Sequence, residues 1–388
     1  MVTILLSVCA LELAFRAFGP FLPGDYALGV EREYDPVLGW RQIPGFRGGF
    51  RTSEYAVQVA INSKGLRDEE IPYDKPPGGL RVLALGDSFV AATQVRLEQT
   101  MTKQLQGLLR DRLAPRPVDV VNAGVSGYGQ AQEYVYLATE GHKYAPDVVL
   151  VVVFLGNDLI DNIRDSDGRF DRPLFDLDAD DRLVQTAWPD RAPKRRPAWD
   201  ELLLRNSLAY NFLQSGVIAK VQQPAERSGE TGRDPGQDLE VYERPPSRKL
   251  RHAWQITEAL VGAIAERAAA GGARTIVVGA PSFRALDPDR FRALVAAQGL
   301  DPARYDPELP SRLLQQAAAR QQLPSLDLLP VLRQAVADGQ GDVFYPKNTH
   351  WAPAGNRVVA VALDQFLASG GWSPGLHVKP ITSEGGGQ

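Results

Sequence analysis

The stretch Leu80–Phe89, LRVLALGDSF, decides how this chain is read. A short apolar run ends at a glycine and is followed by an acid and a small hydroxyl residue. Such a run, bounded by a turn signal, reads as a buried strand that leaves sharply into the next element. Downstream, Glu98–Arg112 places Leu105, Leu108 and Leu109, with Leu113 just beyond, on one helical face. Val118–Val121 is a second strand, and a helix is expected across 130–142. Val148–Leu155, VVLVVVFL, is the most apolar run of the chain and has the β-branched content of a central strand covered on both sides. The alternation resumes later with a helix over Ala253–Ala270, a strand at Thr275–Val278, helices through 287–322, a strand-like Leu323–Leu328 and a last helix from Pro353 to Leu367. Strands separated by helices imply a parallel sheet with helices on both faces. The fold class expected is α/β, a flavodoxin-like three-layer α/β/α arrangement with a parallel sheet of about five strands.

The flanks depart from this rhythm. Residues 23–78 are rich in glycine, proline and aromatics, with one alternating stretch, Tyr55–Ile61, and read as a β-rich extension. Residues 162–250 interrupt the alternation with an acidic, proline-containing start, an amphipathic Trp199–Val221 and a polar Gln222–Pro246; they read as an insertion in a domain spanning 79–372. A carboxylate group around Asp176–Asp181 lacks the spacing of a calcium loop and is expected to be a solvated turn. Residues 373–388 are expected to be a flexible tail. Residues 2–11 are apolar but too few to cross a bilayer, which takes about 20 residues. Residues 1–22 are expected to be part of a membrane anchor or signal-like segment, in preference to an interfacial or a buried helix.

Composition narrows the functional classes. The 388 residues carry 43 Lys and Arg against 47 Asp and Glu, a formal charge of −4, so there is no general attraction to phosphate backbones and no nucleic-acid partner is expected. The basic run Lys194–Arg196 reads as a solvated loop. One cysteine, Cys9, leaves no internal disulfide and no cysteine-built zinc site. The four histidines, 142, 252, 350 and 377, include no close pair, and no metal or organic cofactor is expected.

In an open parallel sheet the functional groups gather past the carboxyl ends of the strands. Past the first strand stands Gly86-Asp87-Ser88, past the second Asn122 to Gly129 (NAGVSGYG), and past the third Gly156-Asn157-Asp158; Tyr345–Trp351 (YPKNTHW) lies just before the last helix. Taken alone, Gly86-Asp87-Ser88 is equally an ordinary strand-to-helix turn with Ser88 as its cap. The four blocks in this order resemble the SGNH/GDSL hydrolase superfamily over about residues 79–165 and 250–370. The extension, with Asp35–Trp40 (DPVLGW) and Ile61–Arg67 (INSKGLR), resembles the membrane-anchored bacterial branch. Thr349-His350-Trp351 is similar to the histidine block of alginate O-acetyltransferase relatives, in which that block comes first.

The resemblance implies Ser88 as nucleophile, His350 as general base and then acid, and an oxyanion hole of the Ser88 and Gly127 backbone N–H groups with the Asn157 amide. Gly127 is chosen over Gly124 because the family's Asn-x-x-x-x-Gly spacing runs from Asn122. Asp158 reads as a structural carboxylate, and His142, His252 and His377 as surface residues. The family's histidine-orienting aspartate is missing: Lys347 stands three residues before His350 and Asn348 two before. Asn348 takes the third position of the triad in doubtful form, with Asp342 as a more distant substitute. The function expected is that of an extracytoplasmic serine esterase on acyl esters or acylated glycans, tethered at the inner membrane. The alternatives are an O-acyltransferase to a glycan and a non-catalytic glycan- or acyl-binding protein.

Overall fold

The computed structural model describes residues 10–15, 26–28, 31–189, 197, 199–200, 202–203, 207, 209–210 and 237–370. The extension contributes β1 (Tyr26–Leu28), β2 (Arg32–Asp35), β3 (Gly39–Gln42), β4 (Arg47–Arg51) and β5 (Ala56–Ala60), paired antiparallel as a β2–β3 hairpin and a sheet in the order β1-β4-β5. The central sheet is built from β6 (Leu80–Gly86), β7 (Val118–Gly124) and β8 (Val148–Phe154). After a hairpin, β9 (Leu174–Leu177) and β10 (Leu183–Ala187), it is completed by β11 (Arg274–Ala280) and β12 (Ser325–Asp327). These five strands are all parallel, in the order β12-β11-β8-β6-β7. That is the doubly wound flavodoxin-like order, with its switch point between β6 and β8.

The helices are α1 (Ser88–Ala91), α2 (Met101–Leu113), α3 (Gln130–Thr139), α4 (Asp158–Asp161), α5 (Arg248–Ala270), α6 (Pro288–Ala297), α7 (Leu309–Arg320), α8 (Leu328–Ala337) and α9 (Pro353–Ala368). Alternate side chains of the sheet enter two separate cores. Leu83, Leu85, Val149, Val151 and Val153 pack toward α3 and α5, whereas Val82, Ala84, Leu150 and Val152 pack toward α2, α8 and α9. Because β8 is apolar on both faces, polarity alone does not fix its register. Its ends do: Asp147 N–H donates to Arg81 O at 2.8 Å, and the Asp158 carboxylate accepts from Phe154 N–H at 2.8 Å.

Several boundaries differ from the sequence reading. The helix across 130–142 ends at Thr139 and continues as a 3₁₀ turn, Gly141–Tyr144. α5 begins at Arg248, inside the expected insertion, because Ser247 caps it by accepting from Leu250 N–H. Residues 237–246, read as polar and coreless, include the turn Gln237–Tyr242, which buries Leu239, Val241 and Tyr242 in the core of the α5 face. α8 was not anticipated, and the strand before it is only Ser325–Asp327. The acids Asp176–Asp181 form the turn of the β9–β10 hairpin, where Asp178 accepts from Asp180 N–H and Arg182 N–H. The run Lys194–Arg196, most of Trp199–Val221 and of Gln222–Pro246, and the 373–388 tail lie outside the described residues. So does most of 1–22, of which 10–15 is helical. Among the described residues no helix is long and apolar enough to cross a membrane.

The extension is welded to the sheet by buried charge. Arg67, 1% exposed, donates to the carbonyls of Ala91, Ala92 and Val95 at the end of α1; the Ala91 bond is 2.7 Å. Desolvation brings its guanidinium down to about 10, against the pull of Glu98 and Asp68, so it stays charged. Asp68 accepts from Asn122 N–H at 2.8 Å and pairs with the buried Lys103. Replacing one partner of such a buried network leaves the others unpaired, which costs about 3–5 kcal/mol. Arg67→Met is expected to lower the free energy of unfolding by that amount in a urea titration, and a change under about 1 kcal/mol would show that α1 holds its own end.

Candidate active site

Ser88 owes its position to two glycines. A Cβ on Gly86 would sit 2.4 Å from Val90 Cγ2, and one on Gly124 would sit 2.3 Å from Ala91 N, so α1 lies against the ends of β6 and β7 only because both side chains are absent. Asp87, not Ser88, is the cap: its Oδ1 accepts from Phe89 N–H at 2.9 Å. The Ser88 hydroxyl is not used in capping: Ser88 Oγ lies 2.8 Å from His350 Nε2 and, more distantly, 3.4 Å from Asp87 Oδ2.

His350 is carried on a tight loop. Tyr345 N–H donates to His350 O at 2.9 Å and Thr349 N–H to Tyr345 O at 2.8 Å, while Thr349 takes a φ of 64°, a left-handed conformation unusual for a β-branched residue. This bend folds Asn348 back onto the ring, so that Nδ1 lies 2.8 Å from Asn348 Oδ1 and 3.1 Å from Asn348 O. A backbone carbonyl only accepts. Nδ1 therefore carries the proton, and the Nε2 lone pair faces the Ser88 hydroxyl. The ring stacks on Phe89, with centroids 4.8 Å apart. Desolvation pushes the imidazole down to about 4, against the opposing hydrogen bond from the Asn348 backbone, so it is neutral at physiological pH. Both Nδ1 contacts are on Asn348. Asp342, the other candidate orienter, is exposed on the rim of a 440 Å³ cavity with Glu54 and Tyr345.

Gly127 and Asn157 lie past the ends of β7 and β8, the two neighbours of β6 in the sheet. Gly127 has a φ of 82°. The carbonyl of the Ser126–Gly127 peptide accepts from Arg32 Nη1 and Trp40 Nε1, each at 3.1 Å. Donors on that carbonyl polarise the same peptide unit and strengthen its N–H. The Asn157 amide donates one N–H to Asp161, which fixes the amide's orientation and leaves the second N–H. Arg172 joins the two positions, donating to Gly127 O at 2.7 Å and lying 3.5 Å from Asp161. The sequence reading missed Arg32, Asp161 and Arg172; Trp40 lay in a quoted stretch but had no role. Of the remaining histidines, His142 is exposed and His252 is partly exposed, 3.5 Å from Asp176; His377 lies outside the described residues.

Residues 241–385, which include His350 but not Ser88, match the family described as an SGNH hydrolase-like domain, acetyltransferase AlgX. Over that stretch the chain is similar to an SGNH hydrolase-like domain. Among solved structures it is similar to LAE5, an alpha/beta hydrolase enzyme from the metagenome of Lake Arreo, Spain, at 14% identity and a TM-score of 0.40, over 78% of this chain and 99% of that one. It is similar to TesA at 15% identity and a TM-score of 0.38, over 74% and 98% of the two chains. It is also similar to Axe2, an acetylxylan esterase from Geobacillus stearothermophilus, at 13% identity and a TM-score of 0.40, over 74% and 94%. No curated protein matches the chain.

Behind Ser88 the fold buries several carboxyl groups. Burial pushes Asp87 up to about 7, with Asp161 adding to the shift, and pushes Glu133 and Asp158 well above the usual carboxylate range, with Asp87 adding to each. Asp158 is the structural group expected: it opens α4 and accepts from Phe154 N–H and from Gln130 Nε2 at 2.9 Å. A carboxyl whose folded pKa lies above its unfolded one keeps its proton on folding. Its contribution is complete below the ordinary carboxylate pKa and is lost as the pH rises through the folded value. The urea midpoint is therefore expected to fall as the pH rises from the ordinary carboxylate range through about 7, the folded value of Asp87, and to go on falling above it for Glu133 and Asp158; the double variant Glu133→Gln/Asp158→Asn is expected to flatten that fall. An unchanged slope in the variant would locate the effect elsewhere.

Proposed function

We propose that this protein is a serine esterase that cleaves acyl esters through Ser88 and His350, with Asn348 in the place of the usual carboxylate. The observation that carries the reading is the hydrogen-bonded chain Ser88 Oγ, His350 Nε2, His350 Nδ1, Asn348 Oδ1, with 2.8 Å at both contacts. In this reading Ser88 Oγ attacks the ester carbonyl carbon as its proton passes to His350 Nε2. The oxyanion is held by the N–H groups of Ser88 and Gly127 and the free N–H of the Asn157 amide. Collapse breaks the bond to the leaving oxygen, which takes the proton from Nε2 and departs as an alcohol. A second hydroxyl then gives its proton to Nε2, attacks the acyl-enzyme and restores Ser88.

If that hydroxyl belongs to water the reaction is hydrolysis; if to a sugar it is O-acyl transfer. Transfer is the second reading, favoured by the acetyltransferase description of the family matching residues 241–385. We place the protein outside the cytoplasm and beside the membrane, a placement supported by the apolar residues 2–11.

The test is p-nitrophenyl acetate turnover with and without glycan acceptors. Weak hydrolysis by the parent is expected to vanish in Ser88→Ala, and an acylated glycan would identify the transferase. Activity unchanged in Ser88→Ala would remove the nucleophile, and no turnover in the parent would leave the binding protein. Because the base is neutral down to about pH 4, kcat/KM is expected to hold into acid and to fall only near that value. Asn348→Asp is expected to raise turnover modestly and to move this acid limb upward, since a carboxylate beside Nδ1 favours the imidazolium.

A further inference from the structure

The orienting amide of Asn348 has its own support, from a part of the chain outside the sheet. Thr52–Tyr55 is the turn joining β4 to β5. It is closed by Thr52 N–H donating to Tyr55 O at 2.8 Å and by the Thr52 hydroxyl accepting from the N–H groups of Glu54 and Tyr55, each at 3.1 Å. From this turn the Glu54 carboxylate accepts both Lys347 N–H at 2.8 Å and Asn348 N–H at 2.7 Å. Lys347 Nζ reaches back to Ser53 Oγ at 3.0 Å. The Tyr55 hydroxyl accepts from Asn348 Nδ2 at 3.1 Å, and its ring packs against Tyr345 with centroids 5.1 Å apart.

An asparagine is a two-faced orienter. With Oδ1 toward the ring it accepts from Nδ1–H; turned over, it would set N–H against N–H or force the proton onto Nε2, where it blocks the Ser88 hydroxyl. Asn348 is 5% exposed, so its Nδ2 needs a protein partner on the side away from the ring. The Tyr55 hydroxyl is a partner on that side and anchors the amide there, while the Asn348 carbonyl, which only accepts, keeps the proton on Nδ1 and so turns Oδ1 to the ring. Glu54 meanwhile fixes the backbone whose carbonyl is the other Nδ1 acceptor.

We propose that Tyr55 and Glu54 are positioning residues that hold Asn348 in its accepting orientation, so that the N-terminal extension completes the His350 site. This rests on the reading of Ser88 and His350 as nucleophile and base. A carboxylate has two equivalent oxygens, no wrong face and its own attraction to the ring, so loss of the Tyr55 anchor costs it less than it costs the amide.

The test is a double-mutant cycle on p-nitrophenyl acetate with Tyr55→Phe, Asn348→Asp and the pair, on the full chain. Tyr55→Phe is expected to lower kcat by about tenfold with KM unchanged, the size set by one lost neutral hydrogen bond. In the Asn348→Asp background the same change is expected to cost less than about twofold. Equal losses in both backgrounds would mean general damage and overturn the proposal, as would no loss in the parent. Glu54→Gln, which keeps one acceptor for the two backbone N–H groups, is expected to lower kcat with KM unchanged; an unchanged kcat would remove Glu54. The ¹⁵N spectrum of the imidazoles, with His350 assigned by loss of its signals in His350→Gln, tests the orientation without turnover. The parent is expected to show Nδ1 protonated and Nε2 bare, and Tyr55→Phe a mixture of tautomers. An unchanged tautomer in Tyr55→Phe overturns the positioning role even if the chain hydrolyses nothing, whereas a shifted tautomer without Ser88-dependent turnover upholds it and removes the esterase.

Discussion

A helix of one turn cannot hold itself, and this site starts on one. α1 has four residues, Ser88–Ala91, no more than the number of carbonyls that lack an intrahelical donor at any helix end. The Asp87 side chain meets the first orphan donors, and the Arg67 guanidinium meets the last carbonyls from a separate segment of chain. The two glycines that let α1 lie on the sheet would be of no use if its far end were loose, because the Ser88 hydroxyl must keep 2.8 Å from a histidine 262 residues away. The buried charge of Arg67 is thus the constraint from which the rest of the geometry follows.

Once Arg67 is seen in this way, the extension stops being an appendage. Asp68 fixes the strand end that carries Asn122. Arg32 and Trp40 grip the Ser126 carbonyl, and Tyr128 returns a hydrogen bond to Trp40 O at 2.6 Å. Gly39, at φ 84°, brings β3 so close to the insertion that a Cβ there would lie 2.0 Å from Asp171 O; next to it, Arg172 reaches Gly127. Each loop of the site is therefore held by chain from outside the sheet. This is the expected remedy when functional groups sit on loops, whose own hydrogen bonding is too sparse to fix them to a few tenths of an ångström.

What was legible in the sequence follows from the range of the interactions. β6, β7, β8 and β11 announce themselves because burial on both faces demands uninterrupted apolar runs, and Gly86, Gly127, Asn157 and His350 stand at strand or loop ends where chain order fixes their neighbourhood. α8 escaped because Leu328 to Ala337 continues the apolar run of β12 without a break, its start marked only by Asp327, whose side chain accepts from Leu329 N–H. Leu239 and Val241 escaped because two apolar residues in a polar stretch make no period. Arg32, Arg67, Asp161 and Arg172 look like any surface charges until the fold buries them. The Asn348 question was visible as a missing aspartate, but its partners Glu54 and Tyr55 are 294 and 293 residues away.

The missing carboxylate has a consequence for the chemistry beyond orientation. An imidazole pushed down to about 4 is a weak base, and on the esterase reading the amide dipole of Asn348 does less than an anion would to hold the imidazolium formed in an attack by Ser88. The conjugate acid of a weak base is a strong acid, so the same group is well matched to protonating a departing alkoxide. On the esterase reading the burden of the first step falls on the oxyanion site, whose negative charge, close to the ring, is what makes the imidazolium acceptable at all. That is where the fold has placed its positive groups: Arg32 and Arg172 both bear on the Ser126–Tyr128 backbone, and Arg172 reaches Asn157 through Asp161. The charge absent behind the histidine is offset by charge organised behind the oxyanion, and a site arranged in this way depends on its loops more than on its triad.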